Sequence, residues 1–331
     1  MSSTYRYDPL EDRWTIIARH RLKKPTLKAK DIRMVPAECP FCEGNEALSD
    51  AEIDASCAQA ERSKNTPGWI NRVVANRYRA VSIETSAEVD EEGIHRSMGG
   101  FGAHEILIDT TGHDSDLALM SPAETVSYLR LIAKRLENLS QDSRIAHVSV
   151  FKNVGILAGE TMAHPHTQIV ALPFIPSHIA SMYEREAAYH RAHHAHLLLD
   201  EVAQTIDEET RLIAREGDFC LYTPFASRYP FELRIAPTTL LSSLSKASSE
   251  QLESLALLMR RSVHLMKLVL GKKVAYNMVI RDSIRDDKPC HTVYIALFPR
   301  LFGVSALESE EGVSINPMPP EEAAKLYKER L

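Results

Sequence analysis

One segment of the sequence alternates polar and apolar side chains before an apolar run: Ala163-His164-Pro165-His166-Thr167-Gln168-Ile169-Val170-Ala171-Leu172. The apolar run predicts a β-strand over 164–171. Because successive side chains on a strand point to opposite faces, we expect His164, His166 and Gln168 on one face. Burying three polar groups is costly unless they have partners or a purpose. The segment therefore indicates a functional site, the alternative being a pair of hydrogen-bonded core histidines.

This strand closes a unit that occurs twice in the sequence. In the first copy a strand at 105–108 is followed by a helix that begins at 121, a strand at 147–151 and a strand at 164–171. In the second copy the same order occurs at 231–235, from 248, at 275–280 and at 290–297. Glu105 and His164 are 59 residues apart, as are Glu232 and His291, so one offset of 127 relates the copies. This order predicts a duplication rather than unrelated α+β segments.

The first helix of the repeat carries clear start signals. Ser121-Pro122-Ala123-Glu124 combines an N-cap serine, a proline at the first helical position and a capping-box glutamate. Apolar residues then recur at helical spacing, at Leu129, Ile132, Ala133 and Leu136. Helices placed between strands in this order indicate the α+β class.

Composition narrows the class of protein. The 331 residues allow one large domain or two ordinary ones, and 44% hydrophobic with 25% charged residues exclude a fibre or a disordered chain. A net charge of −6 argues against nucleic-acid binding. No apolar run approaches the roughly 18 residues of a membrane span, and the first residues do not resemble a signal peptide. Five cysteines are sparse and odd in number, so we expect a reducing, cytoplasmic location.

Two cysteines have the spacing of metal ligands. Cys39-Pro40-Phe41-Cys42 offers two thiolates on a tight turn, which is half of a tetrahedral zinc site. Thioredoxin-like redox chemistry is the alternative, but it needs the pair at a helix start after a strand, and residues 33–38 resemble a loop. Because the sequence has no second CxxC, two further ligands must come from histidines.

The histidines at 164–166 suit phosphorus chemistry. A neutral imidazole is a competent nucleophile if its other ring nitrogen is held by an acceptor. The amide of Gln168 can bind phosphate oxygens without adding negative charge. Upstream, residues 153–161 supply Gly155, Gly159 and backbone N–H groups that can approach phosphates.

Together these motifs resemble the galactose-1-phosphate uridylyltransferase family, the transferase branch of the histidine-triad superfamily. The resemblance runs from Tyr5 to the C-terminal end and rests on His-Pro-His-x-Gln, Cys-Pro-Phe-Cys-x-Gly-Asn-Glu and Tyr-Asp-Pro-x-x-x-x-Trp, at 164–168, 39–46 and 7–14. It implies an α+β fold of duplicated histidine-triad units with antiparallel sheets flanked by helices. The resemblance implies three parts. Residues 1–176 would form an N-terminal half with the zinc site and nucleophile, 177–216 a connecting helix, and 217–331 a degenerate C-terminal half.

The resemblance assigns roles to individual residues. His166 would take a nucleoside monophosphate from its donor, and Gln168 would orient the phosphates where histidine-triad hydrolases have a third histidine. One structural zinc ion would be held by Cys39, Cys42, His164 and His113, with His104 as the alternative to His113. Substrate contacts are implied at Arg21, Lys24, Asn76, Arg77, Asn153, Gly155, Thr161 and Glu308. Lys24 and Thr161 depart from the arginine and serine that are common in the family.

Two further departures bear on the substrate. The family's second metal uses a His-x-His pair where this sequence has Tyr294-Ile295-Ala296, so we expect no second metal. Leu307 stands where the hexose-binding segment has an aromatic residue. Segments such as Ala171-Leu172-Pro173-Phe174 are more similar to AMP-transferring relatives, which include ADP-glucose phosphorylase and adenylylsulfate:phosphate adenylyltransferase.

The sequence thus predicts a cytoplasmic zinc nucleotidyltransferase that works through a covalent nucleotidyl-His166. The favoured reaction moves AMP from ADP-glucose or adenylylsulfate to inorganic phosphate and yields ADP. The alternatives are uridylyl transfer from UDP-glucose to a hexose 1-phosphate, and a zinc-stabilised nucleotide-binding protein without turnover. The resemblance also implies a homodimer. A histidine cluster at 190–196 on a predicted long helix, 177–207, could bind a metal, but a solvated helix face is favoured.

Overall fold

The computed structural model describes residues 3–8, 13–17, 38–58, 61–284, 290–303 and 305–331. The strands in this part of the chain are β1 (Thr4–Asp8), β2 (Arg13–Ile17), β3 (Glu52–Cys57), β4 (Trp69–Ala75), β5 (Val89–Glu92), β6 (His95–Gly99), β7 (Ala103–Ile108), β8 (His147–Val154), β9 (His166–Leu172), β10 (Leu212–Glu216), β11 (Phe219–Tyr222), β12 (Leu233–Pro237), β13 (Tyr276–Arg281) and β14 (Tyr294–Pro299). The α-helices are α1 (Pro122–Ser140), α2 (Ser177–His193), α3 (Leu197–Glu208), α4 (Ser249–Leu270), α5 (Ala306–Ser309) and α6 (Pro320–Lys328).

A ten-stranded antiparallel sheet joins the two copies of the repeat. Its order is β10-β11-β12-β14-β13-β8-β9-β7-β4-β3, so β13 of the second copy pairs with β8 of the first at the centre. A separate four-stranded sheet has the order β2-β1-β6-β5. The α+β fold with antiparallel sheets flanked by helices is confirmed. The half-boundaries at 1–176, 177–216 and 217–331 stay a prediction.

The strand register corrects the offset between the copies. Gln168 pairs with Ile106 and Phe151, whereas Ala296 pairs with Arg234 and Val279, so 128 residues relate the strands. The helix N-caps Ser121 and Ser248 do keep the predicted 127. Because neighbouring strand residues face opposite ways, one residue of difference exchanges the faces. The counterpart of His164 is therefore Thr292, and the predicted match to His291 is wrong.

One face of the large sheet carries the main core. Helices α1 and α4 pack there side by side, and both begin with the capping box that satisfies their first N–H groups. The core runs without interruption from Leu107, Leu129 and Ile169 in the first copy to Ile235, Met259 and Leu297 in the second. Burial of this continuous apolar face stabilises both copies as one unit.

Two predicted elements begin or end elsewhere. Strand β9 starts at His166 rather than at 164, because Pro165 has no N–H to add to the ladder. His164 lies in the preceding turn, so it does not belong to the strand face that carries His166 and Gln168. The predicted helix over 177–207 is two helices, since His194 adopts a left-handed φ of 52° at the end of α2. In the described segments, no helix is both long and apolar enough to cross a lipid bilayer.

Candidate active site and metal centre

Four side chains predicted to be metal ligands meet in one cluster. The ligand atoms of Cys39, Cys42, His113 and His164 all lie within 4.8 Å of one another. Cys42 Sγ is 3.3 Å from His113 Nδ1 and 3.6 Å from His164 Nδ1. His104, the alternative fourth ligand, lies outside this cluster.

Three loops bring the cluster together. Cys39 and Cys42 sit on a tight turn in which the Cys42 N–H donates to the Cys39 carbonyl at 3.2 Å. His113 follows β7, and His164 precedes β9. The Nε2 of His164 donates to the Thr110 carbonyl at 2.8 Å, which leaves Nδ1 as the nitrogen that faces the cluster. An outer hydrogen bond of this kind orients a histidine that ligates a metal.

The electrostatics of the cluster favour a bound cation. Burial lowers the pKa of His164 to about 4, so its imidazole is neutral and able to ligate. Burial, followed by the neighbouring Cys39, raises the pKa of the Cys42 thiol to about 12. The two thiols can therefore become thiolates, the form that ligates a metal, only when a positive charge lies between them. Two thiolates with two imidazoles fit a tetrahedral, borderline-soft divalent ion.

His166 occupies the first position of β9 beside this cluster. It is buried, and its Nδ1 lies 2.9 Å from the backbone carbonyl of His164. A carbonyl can only accept, so Nδ1 carries the ring proton and Nε2 carries the lone pair. The Phe41 ring packs at a centroid distance of 5.5 Å. His166 therefore has the tautomer that a nucleophilic imidazole requires.

A cavity of about 280 Å³ opens in front of His166. It brings together five predicted site residues, namely Asn76, Arg77, Thr161, His166 and Gln168. Its apolar wall contains Phe41, Leu48, Val74, Ile106 and Met162. An apolar slot edged by amide, guanidinium and hydroxyl groups suits a flat base attached to a polar sugar phosphate.

A buried polar network that sequence reasoning missed supports β9 from behind. Lys152 forms an ion pair with Asp109, and its Nζ donates to the His166 carbonyl at 3.1 Å. Thr167 Oγ1 donates to Asp109 Oδ1 at 2.9 Å and lies 2.9 Å from the hydroxyl of Tyr128. The sequence did contain a signal for this network, because Lys152 follows Val148 and Val150 on the same, apolar face of the strand.

Asn153 and Gly155 lie at the end of β8, outside the set of residues that line the cavity. Asn153 Oδ1 accepts from Asn277 at 2.7 Å, and the Gly155 N–H donates to Glu160 at 2.7 Å. Burial raises the pKa of the Glu160 carboxyl. Gly155 has φ +82°, and a Cβ there would stand 2.7 Å from that of Ala275, so glycine is required.

The remaining predicted contacts lie elsewhere. Glu308 is half-buried on α5, where its carboxylate accepts from the Ser305 N–H at 2.9 Å and caps the helix. Arg21 and Lys24 lie outside the described residues.

The histidines left over have local partners. His291 is buried, and its Nδ1 is 3.1 Å from the Glu186 carboxylate. His190 Nδ1 is 3.0 Å from the Ala195 carbonyl, and His193 stacks on Tyr189. Among the described residues, the Cys39 cluster is the one group of three or more side chains close enough to share a metal. The expected absence of a second metal stays a prediction.

Known proteins resemble this chain over its whole length. The family "Galactose-1-phosphate uridyl transferase, N-terminal domain" matches residues 1–176. ADP-glucose phosphorylase of Arabidopsis thaliana is 30% identical across 99% of this chain and 93% of its own. Galactose-1-phosphate uridylyltransferase of Thermotoga maritima is 24% identical across 98% and 97%. The crystal structure of the Arabidopsis thaliana ADP-glucose phosphorylase with bound ADP-glucose aligns with a TM-score of 0.76 and 27% identity, covering 99% of both chains.

Proposed function

The chain belongs to the galactose-1-phosphate uridyl transferase family, and on that premise we propose that it transfers AMP from ADP-glucose to inorganic phosphate. One observation carries the mechanism: the Nδ1–H of His166 is held by the His164 carbonyl at the mouth of a nucleotide-sized cavity. This geometry supports Nε2 as the nucleophile. Its relatives are nucleotidyltransferases, so the chain is an enzyme of that type.

The reaction proceeds in two displacements at the α-phosphorus. Nε2 of His166 attacks that phosphorus, the bond to the bridging oxygen breaks, and glucose 1-phosphate leaves with the bonding electrons. An oxygen of inorganic phosphate then attacks the adenylyl-His166, the P–N bond breaks, and ADP departs with His166 again neutral. The His164 carbonyl stabilises the positive ring of the intermediate through the Nδ1–H. No proton has to be moved from Nδ1 at either step.

The amide of Gln168 is proposed to hold the phosphate oxygens during both displacements. An amide donates without acting as the general base that a third histidine would provide, so the intermediate is protected from water. Asn76, Arg77 and Thr161 would contact the nucleoside and its phosphates from the cavity wall. Arg21, Lys24, Asn153 and Gly155 would supply further phosphate contacts, and Glu308 an acceptor contact.

Transfer of AMP to phosphate is favoured over uridylyl transfer to a hexose 1-phosphate by two observations. The relative at 30% identity is an ADP-glucose phosphorylase, whereas the uridylyltransferase of Thermotoga maritima is 24% identical. In addition, Leu307 replaces the aromatic residue expected for a hexose acceptor. Adenylylsulfate as donor, and hexose 1-phosphate as acceptor for a uridylyl group, are the competing substrates.

We also propose that the metal of the Cys39 cluster is zinc and that the enzyme is a cytoplasmic homodimer. The Cys₂His₂ donor set supports zinc. Zinc would join the three loops that flank His166. It would thereby hold the His164 carbonyl in place. The dimer is supported by family resemblance, and light scattering of the purified protein tests it by mass.

Covalent labelling tests the function. The protein is incubated with ADP-glucose, adenylylsulfate or UDP-glucose, each labelled at the α-phosphorus, and quenched in alkali, which preserves phosphoramidates. We expect label from ADP-glucose in the wild type and none in His166→Ala. Addition of unlabelled phosphate should release the label as ADP.

Each alternative gives its own result. Label from UDP-glucose that only hexose 1-phosphate releases would establish the uridylyltransferase. Label from adenylylsulfate alone would change the leaving group to sulfate. Absence of label from every donor would exclude the covalent mechanism and leave a nucleotide-binding protein.

A further inference from the structure

His104 on β7 contacts the catalytic amide directly. The residue is 6% exposed, and its Nε2 lies 3.0 Å from Gln168 Oε1. The same nitrogen lies 3.0 Å from Asn76 Nδ2. A histidine that is not a metal ligand thus stands between two amides of the nucleotide cavity.

The strand register explains this meeting. Ile106 pairs with Gln168 across β7 and β9, and His104 lies two residues before Ile106, so all three share the cavity face. Asn76 directly follows β4, and its N–H donates to the His104 carbonyl at 2.9 Å. The sheet therefore holds His104 diagonal to Gln168 and opposite Asn76.

Backbone contacts decide which nitrogen of His104 carries the proton. The Ala80 N–H donates to His104 Nδ1 at 3.1 Å, so Nδ1 must accept. In a neutral imidazole the proton is then on Nε2, which donates to Gln168 Oε1. The oxygen of the Gln168 amide is thereby engaged, and the group left for a ligand in the cavity is its amino group.

We propose that His104 is a positioning residue that fixes the Gln168 amide with its Nε2 amino group directed to the phosphate oxygens. This inference rests on the proposed nucleotidyl transfer. Without a donor at Oε1, the amide could turn over and present its oxygen, which repels phosphate oxygens. The hydrogen bond from His104 thus decides whether the Gln168 amide presents its amino group or its oxygen to the substrate.

Asn76 is oriented by a separate backbone contact, which does not depend on the His104 ring. The Tyr78 N–H donates to Asn76 Oδ1 at 2.9 Å, so the amino group of Asn76 is on the side of His104 and the cavity. Since His104 Nε2 carries a proton, it does not accept from Asn76. The Asn76 amino group is consequently a second donor available to a ligand, such as the nucleoside.

The test is a double-mutant cycle on the rate of His166 labelling in a single turnover with ADP-glucose. His104→Phe removes the ring nitrogens, and His104→Gln keeps a donor near Nε2. We expect His104→Phe to slow labelling by about 10- to 100-fold, mainly in the rate at saturating donor, with His104→Gln recovering most of it. In a Gln168→Ala background, His104→Phe should change the rate by less than about twofold, because the group it positions is gone.

His147 provides a matched control. It is also a histidine with 6% exposure, but it lies at the far end of β8 from the cavity. His147→Phe should lower thermal stability without slowing labelling. Equal slowing by His104→Phe with and without Gln168, or no slowing at all, would overturn the positioning role. A wild type that takes no label from any donor would instead refute the proposed function itself, and this inference with it.

Discussion

The two copies of the repeat present the same sheet face to different surroundings. In the first copy, His166 and Gln168 of β9 face an open cavity. The matching positions of β14 hold Tyr294 and Ala296, and there α2 and α3 cover the sheet. The Tyr294 hydroxyl reaches the sulfur of Met182 on α2 at 3.7 Å. Leu198 and Val202 of α3 pack on this face, together with Cys220, Tyr222 and Ala236.

The layer behind the strands differs as well. The first copy has Asp109, Thr167 and Lys152 in a buried polar network. With the 128-residue offset, the second copy has Pro237, Ile295 and Ile280 at those places. The helix-packed apolar core is nevertheless continuous through both copies. The difference teaches that the repeat folds with an apolar layer behind these strands in the second copy, whereas the first copy places additional polar groups behind the candidate site.

The largest effect is expected from the metal cluster. In the first copy this cluster lies beside the open cavity, whereas in the second copy α2 and α3 pack on the corresponding sheet face. Cys39 and Cys220 are both fully buried cysteines, the second lying under α3. Cys39→Ala should lose bound zinc, and with it apparent binding free energy on the order of 10 kcal/mol, because the ligand set is incomplete. Elemental analysis and thermal unfolding measure both quantities.

Cys220→Ala is the matched control for that variant. It should retain zinc and labelling while losing only some packing. Unchanged metal content in Cys39→Ala would refute the metal site.

The next effect concerns the polar layer. Lys152→Met leaves the buried Asp109 carboxylate without its partner and should cost about 3–5 kcal/mol in the free energy of unfolding. Ile280→Met, at the corresponding place in the second copy, should cost about 1 kcal/mol because the volume changes little. Chemical denaturation compares the two.

Adding Asp109→Asn to Lys152→Met should recover part of the loss, since the uncompensated charge is gone. Similar losses for Lys152→Met and Ile280→Met would mean that the polar layer acts as ordinary packing.

The smallest effect is a pH-dependent loss of stability at His147, which lies on β8 of the first copy, the strand that pairs with β13 of the second. His147 of β8 faces Arg281 and His291, and burial, followed by these two groups, lowers its pKa from 6.5 to about 4. As the pH falls from 6.5 to 4, the unfolded chain binds a proton that the folded chain does not, so stability present above that window is lost by up to about 3 kcal/mol.

His147→Gln should lose less stability than the wild type over the same window, as measured by denaturation at each pH. His190→Gln, on the partly exposed end of α2, should follow the wild type. Parallel curves for His147→Gln and the wild type would contradict the burial of a neutral His147.

Much of the site could be predicted because it depends on residue type at short spacing. The CxxC turn, the His-Pro-His segment and the capping box at Ser121 involve a few neighbouring residues, whose chemistry is evident without any long-range contact. The resemblance to a known family then supplied His113, which spacing alone did not distinguish from His104.

The sequence by itself determined the α+β class and indicated the duplication, the Cys39–Cys42 pair as metal ligands and the candidate site around His166 and Gln168. Tertiary structure alone decided the 128-residue register, the covering of the second copy by α2 and α3, the pairing of Lys152 with Asp109 and the place of His104 behind Gln168. The physical reason is that faces of a strand alternate at every residue. One residue gained or lost in a loop therefore turns each side chain of the following strand to the opposite face. Only packing across the whole sheet selects between the 127- and 128-residue registers.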